Sequence, residues 1–162
     1  MALNAYLRLK GDTQGDIKGS VARKGREDSI LVIAADHEVE SPRDAASGLP
    51  TGKRQHQPFV ITKEVDKASP LLMKALVENE NIGEWKLEFW RASSKGKREH
   101  FYTVELRNAS ISNIQFEMLN NKYPENKQHR EREHISFCYQ KIIVRWEDGG
   151  IEAEDDWETP NV

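Results

Sequence analysis

The segment Gly48-Leu-Pro-Thr-Gly-Lys-Arg54 is the part of this sequence that most resembles a chemical motif, because glycines with a following lysine can cradle phosphate. It fails that role on three counts. Its glycines are one residue too close, Arg54 stands where a magnesium-binding Ser or Thr is needed, and a strand-like run follows rather than a helix. Without a helix N-terminus there is no aligned set of N–H groups for phosphate. The histidines His37, His56, His100, His129 and His134 are scattered, and the pair flanking Arg130-Glu-Arg-Glu lacks a zinc-protease spacing. Carboxylates are plentiful, but without geometry no acid–base pair stands out. No Gly-x-Ser-x-Gly elbow occurs. Ser47 is explained by a turn and Ser69 by a helix cap. The single cysteine, Cys138, excludes an internal disulfide, and its apolar strand context predicts a buried, inert thiol. The basic residues Arg43, Lys53, Arg54, Lys95, Lys97 and Arg98 lie in polar links of a net acidic chain with no nucleic-acid module signature. The expectation is a protein without catalytic residues, metal or cofactor, not an enzyme and not a nucleic-acid binder.

The elements that would position these residues are mostly strands. Leu3, Ala5, Leu7 and Leu9 alternate, as do Trp85, Leu87 and Phe89, then Tyr102, Val104 and Leu106, then Ile114, Phe116 and Met118. Ser29 to Ala35 is continuously apolar, which predicts a strand buried on both faces, and Phe59-Val-Ile-Thr is similar. The link Ser93-Ser-Lys-Gly-Lys-Arg98 predicts a hairpin turn. Residues 120–132 form a second polar link. Ile135, Phe137 and Tyr139 have one parity and Ile142, Val144 and Trp146 the other, so a bulge or a change of sheet is needed near Gln140-Lys141. One helix is predicted, with Ser69 as its N-cap, Pro70 in its first position, Leu72, Ala75, Leu76 and Asn79 at 3–4 spacing, and Gly83 past its end. The fold class is therefore mainly β: a closed or nearly closed β-barrel, or a sandwich, with one external α-helix and a long protruding loop, in a single domain over 1–162. The large inward residues would fill such a barrel.

That loop, Ser41 to Gln57, is longer than the roughly 12–15 residues that a compact domain usually leaves without structure. Gly48, Pro50 and Gly52 break regular structure within it. Ordering it costs about 1–2 kcal/mol per residue of backbone entropy, which predicts that it lies against another surface. Arg43, Asp44, Leu49, Pro50, Lys53 and Arg54 are its candidate subunit or ring-stacking contacts.

The formal charge of −3 is unevenly spread: no Lys or Arg follows Arg145, whereas Glu147, Asp148, Glu152, Glu154, Asp155, Asp156 and Glu158 do. This predicts either a solvated acidic terminus or a face that meets the basic loop of another subunit. The first residues lack a basic n-region, and Arg8 and Lys10 interrupt any apolar h-region. No apolar run reaches the roughly 18 residues of a membrane span. The expectation is a cytoplasmic product without signal peptide or membrane insertion.

Several separated segments resemble the Hcp family of type VI secretion tube proteins. They are Met1-Ala-Leu-Asn-Ala-Tyr-Leu-Arg-Leu-Lys-Gly11, Gly25-Arg-Glu-Asp-Ser-Ile30, Pro42 to Arg54, Pro58 to Lys67 and Ser69-Pro-Leu-Leu72. The resemblance covers essentially the whole chain. It implies a barrel of two sheets with one helix, homohexameric rings stacked into an inner tube, a spike of the VgrG type, a surrounding contractile sheath, and small effector proteins carried in the lumen. It also implies that the protein leaves the cytoplasm through the type VI machine. The competing reading is a small-ligand-binding β-barrel, or a secreted effector of unrecognised activity.

Overall fold

The computed structural model describes residues 2–158, and all element counts below refer to them. Strands β1 (Ala5–Gly11), β2 (Gly15–Ile17), β3 (Ile30–Asp36), β4 (Val39–Glu40), β5 (Gln55–His56) and β6 (Phe59–Glu64) lead into helix α1 (Ser69–Val77). Strands β7 (Ile82–Ala92), β8 (Arg98–Arg107), β9 (Ser110–Glu117), β10 (Arg132–Cys138), β11 (Lys141–Trp146) and β12 (Ile151–Asp156) follow. The main sheet is one antiparallel path, β12-β11-β8-β7-β1-β3-β6-β10-β9, with β2 added on β1 and β4–β5 as a separate ribbon. Its hydrogen bonding runs from β12 to β9 without a ladder joining those ends, so the pairing shows one curled sheet.

The curl is visible in side-chain contacts. Trp85 of β7 packs edge-on to Phe59 of β6 and Phe137 of β10, with centroids 5.1 and 5.4 Å apart. Three strands separate β7 from β10 along the path. Only a sheet folded over its own inner face lets them touch. Leu7, Ile30, Ile61, Leu87, Leu106 and Ile135 complete that fully buried interior. Alternation in β1, β7 and β8 drives this, because each second residue is apolar and must leave water.

The parity change near Gln140 is a corner. β10 lies between β6 and β9, whereas β11 lies between β8 and β12, so the chain changes its place in the sheet there; Ile135, Phe137, Tyr139 and Ile142 stay buried, Val144 packs against them, and Trp146 is exposed. The turn at residues 93–97 closes the β7–β8 hairpin as expected, with Ser93 N–H donating to Lys97 O and Gly96 at φ +76°.

Elsewhere the sequence expectations need correction. β3 is buried only at Ile30 and Val32; Ile33 is 41% exposed, and the register shifts between Val32 and Ala34 as the strand leaves the core. Phe116 and Met118 are exposed because β9 is a terminal strand whose far end runs beyond the interior. Cys138 is exposed: the alternation that turns Phe137 and Tyr139 inward turns their neighbour outward. The helix starts one residue earlier than expected, at Ser69, with Ala68 as N-cap. Ser69 Oγ instead accepts from Asp66 N–H and the Lys63 ammonium, both at 3.0 Å. Beyond the helix it is Asn79, at φ +49°, that turns the chain, not Gly83, which already lies in β7.

Lys63 explains how α1 is fixed. Its side chain is fully buried, and its three N–H groups meet Ser69 Oγ at 3.0 Å, Asp66 Oδ1 at 3.0 Å and Glu133 Oε1 at 3.2 Å. A buried ammonium is tolerated only when paired and hydrogen-bonded in this way. It joins β6, β10 and the start of α1, whose Leu72 and Ala75 face the core.

Two measurements check this assignment of faces. Phe137→Ala should lower unfolding free energy by about 3–5 kcal/mol, whereas Phe116→Ala should change it by about 0.5 kcal/mol or less in urea titrations on dilute protein. Cys138 should react stoichiometrically with an aromatic disulfide reagent in the native state.

Candidate assembly surface

The long segment between β3 and β6 is an ordered arm. β4 and β5 pair through Val39 with His56 and Glu40 with Gln55, and Gln57 N–H donates to Glu38 O at 3.0 Å. Further out, Arg43 and Pro50 form a bridge, and Thr51 N–H donates to Pro42 O at 2.8 Å. The tip turns on Asp44. Its Oδ1 accepts from the N–H groups of Ala46 and Ser47, both at 2.8 Å, which hold its carboxyl below the usual carboxylate range. Asp44 N–H in turn donates to Leu49 O at 2.9 Å. Gly48 and Gly52 supply positive φ of +71° and +73°. The glycines that seemed to forbid regular structure are thus what a twisted ribbon uses at its turns.

The ribbon brings Arg43, Asp44, Leu49 and Pro50 together at the tip, all exposed, with Lys53 exposed along the returning side. Leu49 is 64% exposed, the most open leucine on the molecule among the described residues. Arg54 does not join them. It lies at the arm's base, with Nε 2.6 Å from Asp155 Oδ2, Nη2 2.7 Å from Asp155 Oδ1, and Nη2 2.9 Å from Asp156 O. This bidentate pairing, helped by the bond from His56, holds the Asp155 carboxyl below the usual range against the opposing effect of burial.

The histidines are not all scattered. His37 Nε2 lies 2.6 Å from the Tyr139 hydroxyl, and His56 Nδ1 lies 2.8 Å from the same oxygen. His56 Nε2 is 2.6 Å from Asp155 Oδ2. His37 stacks on Phe59 with centroids 5.0 Å apart, and Trp157 covers His56 while its indole N–H donates to Tyr139 O. Burial, with Asp155 nearby, pushes the Tyr139 phenol up, so it stays a neutral hydroxyl. Sequence reasoning missed this cluster. The available signal was that Arg54 and His56, two apart on a returning strand, share a face.

The acidic terminus is not a loose solvated stretch either. Glu152 and Glu154 on β12 pair across the hairpin with Arg145 at 2.8 Å and Lys141 at 3.2 Å. The opposite signs of loop and tail meet within one subunit, at Arg54 and Asp155.

The segment thus exposes an apolar tip at Leu49 while Arg54 and His56 fix its base to the body. The family model described as type VI secretion system effector, Hcp, matches residues 6–146. The chain belongs to the Hcp family. It is 40% identical to the major exported protein of Pseudomonas aeruginosa over 169 aligned positions, covering 99% of this chain and 98% of that one. A crystal structure of an Hcp protein superposes with a TM-score of 0.90 at 31% identity, covering 97% and 99% of the two chains. Hcp1 from Escherichia coli EAEC 042 gives 0.85 at 32% identity, covering 96% and 99%. The mainly β, single-helix architecture is that of the Hcp fold, and the protein is a secreted component of type VI secretion.

Asp155→Asn should leave the Hcp body folded but loosen the arm. Amide exchange at Gln57 should rise by an order of magnitude relative to core strand amides, because both Arg54 and His56 lose their charged acceptor.

Proposed function

We propose that this protein is the tube subunit of a type VI secretion system, with six copies in a ring and rings stacked into an inner tube. The tube would carry a VgrG-type spike, travel inside a contractile sheath and hold small effector proteins in its lumen. The protein would pass from cytoplasm to exterior or target cell by that route. The whole chain acts as one structural unit and performs no chemistry. The observation that carries this reading is Hcp family membership across almost the full length, combined with an ordered arm that exposes Leu49 and Pro50.

Physical features support the same reading. The sheet leaves two terminal strands, β9 and β12, flanked by exposed Phe116, Met118 and Ile151. Uncovered edges with apolar residues are a hazard in a monomer and an asset in a ring. Two different patches on one subunit make a heterologous contact, which closes into rings or propagates as filaments. In a ring, the curled sheet would act as the barrel expected of this fold. The arm tip, with Arg43, Asp44, Leu49, Pro50 and Lys53, is the proposed contact between rings, and Arg54 positions it from below. The ligand-barrel alternative is disfavoured by the interior, which Trp85, Phe59 and Phe137 occupy.

Sedimentation velocity at micromolar concentration should show a particle several times the chain mass; monomer alone at high concentration would contradict the reading. Removing residues 48–53 should preserve the ring yet shorten stacks, measured as particle length by electron microscopy. Stacking should also weaken as salt rises fivefold, since exposed Arg43, Asp44 and Lys53 are screened.

A further inference from the structure

The hydrogen-bond chain at the arm's base has a property that assembly alone does not require. With both imidazoles neutral, one arrangement gives each of the three contacts one donor and one acceptor. His37 Nε2–H donates to the Tyr139 hydroxyl, that hydroxyl donates to His56 Nδ1, and His56 Nε2–H donates to Asp155. One added proton is accommodated by reversing the chain: His56 then donates from both nitrogens, and the Tyr139 hydroxyl donates to His37 Nε2. A second proton is not. Both histidines would then point N–H groups at one phenol oxygen, whose own hydrogen would have no acceptor among these groups. Two cations would also share that oxygen.

We propose that His37, Tyr139 and His56 form an acid-sensitive latch that holds the arm against the body at neutral pH and releases it when both histidines are protonated.

The surroundings favour this behaviour. His37 belongs to the segment entering the arm and His56 to the strand leaving it, so the latch grips both legs of the ribbon. Tyr139 sits at the β10–β11 corner of the rigid sheet and is 5% exposed. The titratable and charged groups around the chain are Asp36 at the end of β3, Arg54 beside β5, Cys138 next to Tyr139, and Glu154, Asp155 and Asp156 on β12. Asp36 favours a charged His37, but burial and the neighbouring His56 outweigh it and hold His37 below the ordinary histidine value of 6.5. Asp155 is already bonded twice by Arg54, so it cannot neutralise a second imidazolium. The sign follows by linkage: the released arm binds a proton on His37 more readily than the docked arm, so docking is fully stable above 6.5 and weakens as pH falls below it. A tube subunit with such a latch would lose its stacking geometry in an acidic compartment. That consequence rests on the arm being the stacking element; the latch itself does not.

The test uses the variant lacking residues 48–53, which keeps His37, Tyr139, His56 and Asp155 and is expected to stack less, and compares amide exchange at pH 7.5 and 5.0 after correction for intrinsic rates. The Gln57 amide should lose at least tenfold protection at pH 5.0 relative to core amides of β1. His37→Gln in the same background keeps a donor and an acceptor but does not titrate, and should show no such loss. Equal protection at both pH values, or the same acid loss in His37→Gln, overturns the latch. Side-chain nitrogen NMR of the unsubstituted histidines supplies a check independent of any latch substitution. His37 should stay neutral until arm protection is lost, and titration of both histidines with protection intact overturns the proposal. If the arm opens in acid while stacking of the full chain is indifferent to pH, the latch stands and the role of the arm in stacking falls.

Discussion

One carboxylate, Asp155, ties the arm to β12, the last strand among the described residues. It receives two hydrogen bonds from Arg54 and one from His56, and these two residues lie on the leg by which the arm returns to the body. Charge-assisted, bidentate bonds are directional as well as strong. They fix where the ribbon leaves the body, and therefore where Leu49 and Pro50 are presented. β12, which carries Asp155, has to be held in turn. Pairing with β11, with the ion pairs from Arg145 and Lys141, does this. An acidic stretch that looks like a repulsive tail in one dimension is a strand whose charges are matched from the side.

The rest of the molecule is the platform for that geometry. The sheet curls until Trp85 of β7 meets Phe59 and Phe137, which closes the interior to ligands and makes the body rigid. Lys63 then joins two strands to the helix through a fully satisfied ammonium. Replacing Lys63 would leave the Asp66 and Glu133 carboxylates without their cation, so this cluster specifies where α1 lies more strictly than apolar contact alone. Rigidity of the body matters for a tube protein, because an error in one subunit's angle is repeated at every contact around a ring.

How much of this was legible in the sequence follows from the kind of information each feature needs. The β7 and β8 alternations, the 93–98 turn and the parity change near Gln140 were legible because they are local and periodic. Parity showed that the run is interrupted near Gln140, but not that β10 and β11 are two strands at different places in the same sheet rather than one bulged strand or a change of sheet. Exposure of Phe116 and Met118 was not legible, since alternation marks which residues share a face but not whether that face is covered. Cys138 was misjudged although its own parity, between Phe137 and Tyr139, pointed outward. The arm was read as lacking structure because Gly48, Pro50 and Gly52 were weighed as breakers, whereas a ribbon needs such residues at its turns. The His37–Tyr139–His56–Asp155 cluster joins four places in the chain, the first and last of them 118 residues apart, and no local pattern marks it. Likewise Arg54 looked equivalent to Arg43 and Lys53; only the position of β12 separates the residue that anchors from those that are presented.

The central claim is that the arm tip meets another subunit, and the most direct measurement is the location of Leu49 in assembled protein. A photo-reactive or thiol probe at Leu49→Cys, in a Cys138→Ser background, should give cross-links dominated by pairs between subunits, mapped by mass spectrometry on mixed isotope-labelled and unlabelled chains. Cross-links confined to the same chain, or none above the level of a probe on the exposed 93–97 turn, would contradict it.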